Sequence, residues 1–158
     1  MKKTIINLVA GAAIGALVFG FIMYQSAPGM MLKENESKYG FEQTVSEFEK
    51  SVKAKGWKIP ATHNLQKTME KFGHDVQAVK VFELCHPEHA EKILSKSEER
   101  IVSSMMPCRV AIYEKADGKT YVSRMNTSLM AGMIGGLVKE VMAVASEENE
   151  EILKPVIK

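Results

Sequence analysis

"CRVAIYEKADGKTYVSRMN", residues 108–126, carries the clearest local pattern in this chain of 158 residues. Two runs of β-prone residues flank the dipeptide Asp117-Gly118, which readily adopts the positive φ of a tight turn. Such an arrangement is typical of two antiparallel strands joined by a short loop. The sequence therefore predicts a β-hairpin.

A two-residue turn would also set the register of this hairpin. Val110 would pair with Met125 and Cys108 with Thr127, because positions equally far from the turn lie opposite each other. Side chains alternate between the faces of a strand, so Cys108 should share an apolar face with Val110 and Ile112. One of the two cysteines in the chain is thereby expected to face the core.

The remaining elements follow from apolar spacing and from helix stops such as glycine. In chain order we expect a helix over 41–55, an extended piece over 57–63 that Pro60 confines to a sheet edge, a helix over 65–72, a strand over 76–85, a helix from Pro87, the hairpin, and a closing helix over 127–145. Four strands are too few for a doubly wound sheet. The predicted fold class is α+β, with a small, mostly antiparallel four-stranded sheet packed with helices, plus one N-terminal transmembrane helix.

Two features of the closing segment need a reason. Gly132, Gly135 and Gly136 lower helix stability, and we expect them to permit close packing against the sheet or another subunit. A ligand approaching the bare backbone is the alternative. The charged run "SEENEE", residues 146–151, is interpreted as a solvated helix end or an exposed face.

The N-terminal segment is apolar enough to cross a membrane. No charged residue occurs from Thr4 to Met23, and a helix over residues 5–24 would match a hydrocarbon layer of roughly 30 Å. A cleaved signal peptide is the alternative, but its apolar core is usually only about 7–15 residues long, and Gln25 does not suit a cleavage site before Ala27. We therefore predict an uncleaved anchor over residues 1–24, a linker over 25–40 and a soluble domain over 41–158.

Charge indicates the orientation and the partners. Lys2 and Lys3 precede the apolar run, so the positive-inside rule places the N-terminus in the cytoplasm and the domain in the periplasm or outside the cell. The predicted location is the inner (cytoplasmic) membrane, with a single span that contacts lipid through residues 5–24. Beyond the anchor, 19 basic residues balance 19 acidic ones. This neutrality argues against nucleic acid as a partner.

Small residues in the anchor suggest assembly. Gly11 and Gly15 form a GxxxG pair, a spacing that lets two helix backbones approach closely in lipid. A homo-oligomer or a larger membrane complex would use such a face. Glycine is also simply common in membrane helices, and both interpretations remain open.

Three segments together resemble the domain-of-unknown-function 302 family over roughly residues 40–153. They are "FELCHP" (82–87), "MMPCRVAIYEKADGKTYVSRMN" (105–126) and "MAGMIGGLVKEVMAVA" (130–145). The resemblance implies a compact α+β domain with an antiparallel sheet, which often self-associates and has no settled activity. It also implies that Cys85 and Cys108 stand at recurring cysteine positions of the family. Family members commonly carry a small polar residue such as Asn where this chain has His86.

The candidate site comprises Cys85, His86, His89 and Cys108. Cys85 ends the predicted strand just before a helix N-terminus, which favours a thiolate and would make Cys85 the more reactive cysteine. His86 and His89 follow at a spacing that brings side chains together at the start of a helix.

Four interpretations of the two cysteines remain open. They could be small buried apolar side chains, a disulfide, ligands of haem or of a soft metal such as copper, or a thiol redox pair. Met105 and Met106 would add thioether ligands to a soft-metal site. The chain has neither a paired CxxC zinc pattern nor a CxxCH motif for covalent haem.

These observations lead to two functional hypotheses. The first is a non-enzymatic, membrane-anchored binding or accessory domain outside the cytoplasm, within a homo-oligomer or a membrane complex. The alternative is a redox, haem or soft-metal protein that uses Cys85 and Cys108. Catalysis has the least support, since no carboxylate pair, nucleophile elbow or metal-ligand motif can be given a role.

Overall fold

The computed structural model describes the backbone of residues 2–158, and the side chains of residue 7 and of residues 11–158. The side chains of Lys2 and Lys3, on which the predicted orientation depends, lie outside this part. The described elements are α1 (Lys2–Met31), β1 (Leu32–Glu36), α2 (Phe41–Ala54), β2 (Thr62–Asn64), α3 (Leu65–Glu70), β3 (Val79–Leu84), α4 (Pro87–Leu94), a 3-10 helix (Glu98–Met105), β4 (Cys108–Glu114), β5 (Thr120–Met125), α5 (Thr127–Ile134) and α6 (Gly136–Leu153).

Within residues 2–158 the strands form one antiparallel sheet in the order β1-β5-β4-β3-β2. The α+β class is confirmed, but the predicted number of four strands is wrong, because the sheet has five. The additional strand is β1, which pairs with β5 from Leu32 opposite Met125 to Glu36 opposite Tyr121. Its sequence, "LKENE", has no apolar alternation. It can still form an edge strand, because backbone hydrogen bonds hold such a strand and any side chain permits them.

The segment 25–40, which was predicted to be a linker, contains regular secondary structure. Its first part continues α1 as far as Met31, through Pro28, and its second part is β1. Polar composition was the reason for predicting a linker here. In the structure, the backbone N–H of Asn126 donates to the carbonyl of Met31 at 2.8 Å and holds the junction between α1 and β1.

The hairpin exists, with a register one residue away from the predicted one. Val110 pairs with Arg124 rather than Met125, and the last pair before the loop is Glu114 with Thr120. The loop is longer than two residues, because Lys115 and Lys119 are joined by a backbone hydrogen bond and Gly118 takes a φ of 75°. A shift of one residue exchanges the faces of a strand, so Arg124 lies on the core face.

This core face packs against α2 and α6. Phe48 of α2 and Phe82 of β3 meet edge to face, with ring centroids 5.1 Å apart. Val110 and Ile112 are fully buried and Cys108 packs beside them, as the predicted alternation required. A second apolar cluster lies among α4, α5 and α6, and Cys108 contacts both clusters.

Two predicted helices have other bounds in the structure: the closing helix is two helices, and the helix predicted over 65–72 ends at Glu70. The closing helix is broken into α5 and α6 at Gly135, whose φ of 82° and ψ of −164° are accessible essentially to glycine alone. A Cβ at Gly132 would meet nothing within 4 Å, so close packing within the chain does not explain that glycine. In α3, all of which the structure describes, no residue is buried, and Phe72 just beyond it is 71% exposed.

Candidate functional site

A cavity of about 310 Å³ lies where β3 ends and β4 begins, against α4 and α6 and between the two apolar clusters. Its volume is at the lower end of the range of about 300–1,000 Å³ that is typical of small-molecule sites. The wall is almost entirely apolar. Its lining includes Trp57, Leu84, Cys85, His86, His89, Ile93, Met106, Cys108, Val141, Met142 and Ala145.

Sheet pairing brings the two cysteines to this cavity. Cys108, the first residue of β4, lies opposite Leu84, and Cys85 is the next residue along the chain. Cys85 forms an antiparallel bridge with Lys58 and directly precedes the helix cap at His86. Both thiols are free. Burial, together with the neighbouring Cys85, raises the pKa of the Cys108 thiol, so Cys108 is held in the neutral form.

The two histidines stand at the start of α4. His86 is the N-cap residue and Pro87 is the first helical residue, as the sequence predicted. His89 lies on the first turn, and the two imidazole rings have centroids 4.3 Å apart. The indole of Trp57 packs edge-on against both rings, at 5.6 Å from His86 and 6.1 Å from His89.

Glu148 of α6 completes this group. Its Oε2 accepts a hydrogen bond from Trp57 Nε1 at 2.9 Å and lies 3.0 Å from His89 Nε2. Burial alone would raise the pKa of Glu148, but the hydrogen bonds with His89 and Trp57 outweigh it and hold this pKa below its ordinary value. Glu148 is therefore ionised at neutral pH, beside two imidazoles.

All four candidate residues from the sequence line the same cavity. Cys85, His86, His89 and Cys108 come from two strand ends and one helix start, together with the predicted thioether of Met106. Met105 lines a separate, smaller cavity. Which cofactor, if any, these residues hold stays a prediction.

Sequence reasoning missed Trp57 and Glu148. Glu148 belongs to the run 146–151 that was interpreted as solvated, yet Ser146 and Asn149 in that run are buried. The available signal was helical spacing, because α6 continues the apolar period from Val141 and Ala145 to Ile152. Trp57, the single tryptophan, lies just beyond a helix-ending glycine. Its large side chain was the only sequence feature that indicated a place in the core.

The fold and the site thus define an α+β domain with an antiparallel sheet and a cavity at the sheet end. A family model described as "Domain of unknown function DUF302" matches residues 33–158, and the chain belongs to this family. The match includes all of β1 except Leu32, and it extends to the C-terminal residues, beyond the range 40–153 of the resemblance seen in the sequence.

A solved structure shares the fold. It is described as the crystal structure of an uncharacterized conserved DUF302 protein from Bacillus stearothermophilus, and it is 21% identical to this chain with a TM-score of 0.71. The similarity covers 79% of this chain and 97% of the other. No curated protein matches the sequence.

Proposed function

We propose that this chain is a membrane-anchored binding module that holds a small, mainly apolar molecule in the cavity beside Cys85 and Cys108. The observation that carries this proposal is the cavity itself. It combines an apolar wall with a few convergent polar groups, the arrangement by which proteins bind small molecules and orient them.

Ligand entry can be tested in the full chain, extracted in detergent and carrying ¹³C-methyl methionine. Cyclohexanol is the probe, and the methyl groups of Met106 and Met142, which line the cavity, should shift saturably on titration. The methyl group of Met23 in α1 reports on partition of the probe into detergent.

A matched pair of variants makes this test specific. Ala90→Phe fills the cavity from α4 and should abolish the saturable shift, whereas Ala143→Phe, on α6 outside the cavity lining, should preserve it. The proposal fails if Met106 and Met142 respond only as Met23 does, or if both variants behave alike.

Membrane attachment is part of the proposal. Residues Gly11–Met31 of α1 are long and apolar enough to cross a bilayer, a property that signal sequences and some helices of soluble proteins share. Helix α5 contacts α1, and the apolar residues exposed on α5 include Met133, which is 74% exposed. The Asn126 side chain, just before α5, donates to the Met30 carbonyl at 2.9 Å. Apolar residues at this level suit the headgroup boundary of a bilayer.

Two fractionation experiments test the attachment and its orientation. An anchored chain should stay in the membrane pellet after alkaline carbonate treatment, and its domain should be cut by protease added outside spheroplasts. Recovery in the soluble fraction would contradict the anchor, and protection from that protease would contradict a periplasmic or extracellular domain.

Self-association is also proposed. Val79, Val81 and Ala111 lie on the sheet face opposite the core, where they are only half-buried. A second copy of the chain would cover this face. The mass of the protein in mild detergent should then exceed that of one chain, and a monomeric mass with no co-purifying protein would contradict this part of the proposal.

The cysteines carry the second candidate function, a redox, haem or soft-metal site. Its support is that both thiols line one cavity and lie close enough for Cys85 to influence the pKa of Cys108. Absorption spectra and elemental analysis of the native extract, with thiol counts before and after reduction, test it. Two unreactive free thiols without metal or haem would remove this candidate.

A further inference from the structure

His86, His89 and Glu148 form a second chemical group at the wall of the cavity. Each residue offers one ligand atom, and the three atoms lie within 4.8 Å of one another. We propose that these three residues bind a divalent first-row transition-metal ion such as Zn²⁺. This inference goes beyond the proposed binding of an apolar molecule, because the metal site would stand even if the cavity took no such ligand.

The ligands come from two helices that pack together. His86 and His89 lie three residues apart at the start of α4, so their rings lie side by side at 4.3 Å. Glu148 lies on α6 and reaches His89 across the contact between the two helices. A metal ion held here would therefore join α4 to α6.

The spacing is close to what an ion requires. Two ligand atoms that each lie about 2.0–2.1 Å from a tetrahedral ion are roughly 3.4 Å apart. His89 Nε2 and Glu148 Oε2 already lie 3.0 Å apart. The full spread of 4.8 Å would have to contract by about 1.4 Å when an ion binds.

The surroundings orient the ligands. Trp57 Nε1 donates to Oε2 of Glu148 at 2.9 Å, which fixes the carboxylate by the kind of outer hydrogen bond common around metal sites. The Nδ1 of His86 is buried and has no hydrogen-bond partner among the described residues. A buried nitrogen without a partner is costly, and metal coordination by the ring would give it a reason.

The donor set indicates the kind of ion. Two imidazoles and one carboxylate suit borderline ions such as Zn²⁺, whereas a soft ion such as Cu⁺ would select the thiols and thioethers. Three protein ligands also leave a position for water or for a donor atom of a molecule in the cavity, since His86 and His89 both line it. The site differs from the cysteine-centred one predicted from the sequence.

Cobalt titration of the full chain in detergent tests the site. After removal of metal with a chelator, Co²⁺ should give a visible d–d absorption and quench Trp57, the single tryptophan, whose ring lies 5.6 Å from His86. Zn²⁺ should reverse both signals by displacement. Sulfur-to-cobalt charge-transfer bands in the near ultraviolet would place the ion on the cysteines and overturn the proposal.

Four variants locate the ion. Glu148→Gln and His86→Gln should each weaken Co²⁺ binding at least tenfold, since each loses one ligand. Their controls are Glu147→Gln, an exposed neighbour on α6, and His74→Gln, an exposed histidine beyond α3, and both should bind within twofold of the original chain. If Glu148→Gln misfolds, His86→Gln still tests the site, because the Nδ1 of His86 has no described hydrogen-bond partner to lose.

The outcomes separate this proposal from the proposed function. Metal binding without a cyclohexanol response at Met106 supports the ion site and removes the apolar ligand. A cyclohexanol response in a chain that binds neither Co²⁺ nor Zn²⁺ does the reverse. Equal weakening by the ligand variants and their controls also overturns the metal site.

Discussion

Arg124 and Glu150 form a bidentate ion pair that joins the sheet to α6. Nη2 of Arg124 lies 2.5 Å from Oε2 of Glu150, and Nε lies 3.2 Å from Oε1. The Arg124 side chain is only 6% exposed, and Nη1 also donates to Asn35 of β1 at 2.7 Å. One guanidinium therefore holds together the edge strand β1, the hairpin strand β5 and the helix that carries Glu148.

Glu150→Gln should destabilise the chain by about 1–2 kcal/mol, because Arg124 loses its counter-charge, while the partial exposure of Glu150 limits the effect. Glu151→Gln is the control. Its exposed pairs with Lys55 and Lys154 should be worth no more than about 0.5 kcal/mol. Urea unfolding in detergent, followed by Trp57 fluorescence, measures both. Equal losses in the two variants would show that the Arg124 pair has no special role.

The same pair predicts how stability depends on pH. Burial raises the pKa of Glu150, but hydrogen bonds from Arg124 and Lys33 outweigh it, so this pKa lies below its ordinary value of 4.5. A carboxyl with a lowered folded pKa stabilises the fold above its unfolded pKa, and this contribution is lost as the pH falls through the folded pKa. The stability difference between the original chain and Glu150→Gln should therefore be constant near neutral pH and shrink below about 4.5. A difference that grows in acid would contradict this sign.

Thiol reactivity should differ between the two cysteines. Burial is the largest cause of the raised pKa of Cys108 and persists when the neighbouring Cys85 is replaced, so the Cys108 thiolate is scarce at pH 8. A Cys85→Ser chain, which retains Cys108, should react with iodoacetamide at least about threefold more slowly than a Cys108→Ser chain. Rates in concentrated urea provide the control, since unfolding should make them equal. Faster reaction at Cys108 would mean that its thiol is far more accessible than the structure shows.

Local sequence patterns were enough to predict the α+β class, the hairpin and the start of α4 at Pro87. The core face of β4 followed from the alternation of Val110 and Ile112, which residue chemistry alone determines. Strand β1 could not be found in this way, because the extended conformation of "LKENE" comes from its pairing with β5 and not from the β-propensity of its residues.

The residues of the candidate site fall into the same two groups, those that the local sequence predicts and those that only tertiary packing brings together. Cys85, His86 and His89 are close in sequence, and Cys108 joins them through the predictable pairing of β3 with β4. Glu148 is 59 residues from His89, and only the packing of α6 on α4 brings it there. The register of the hairpin was missed because the Lys115–Lys119 backbone hydrogen bond encloses three residues, and residue types alone do not distinguish such a loop from a two-residue turn.

The break between α5 and α6 offers a matched pair of glycine variants. Gly135→Ala should destabilise the chain by about 1–3 kcal/mol, because the backbone at φ 82° and ψ −164° excludes a side chain. Gly132→Ala should instead stabilise it by up to about 1 kcal/mol, because Gly132 lies inside α5 with open space around it. Urea unfolding and the mass in detergent should both be measured for each variant. If Gly132→Ala lowered the stability or the mass, close packing against another subunit would explain that glycine after all.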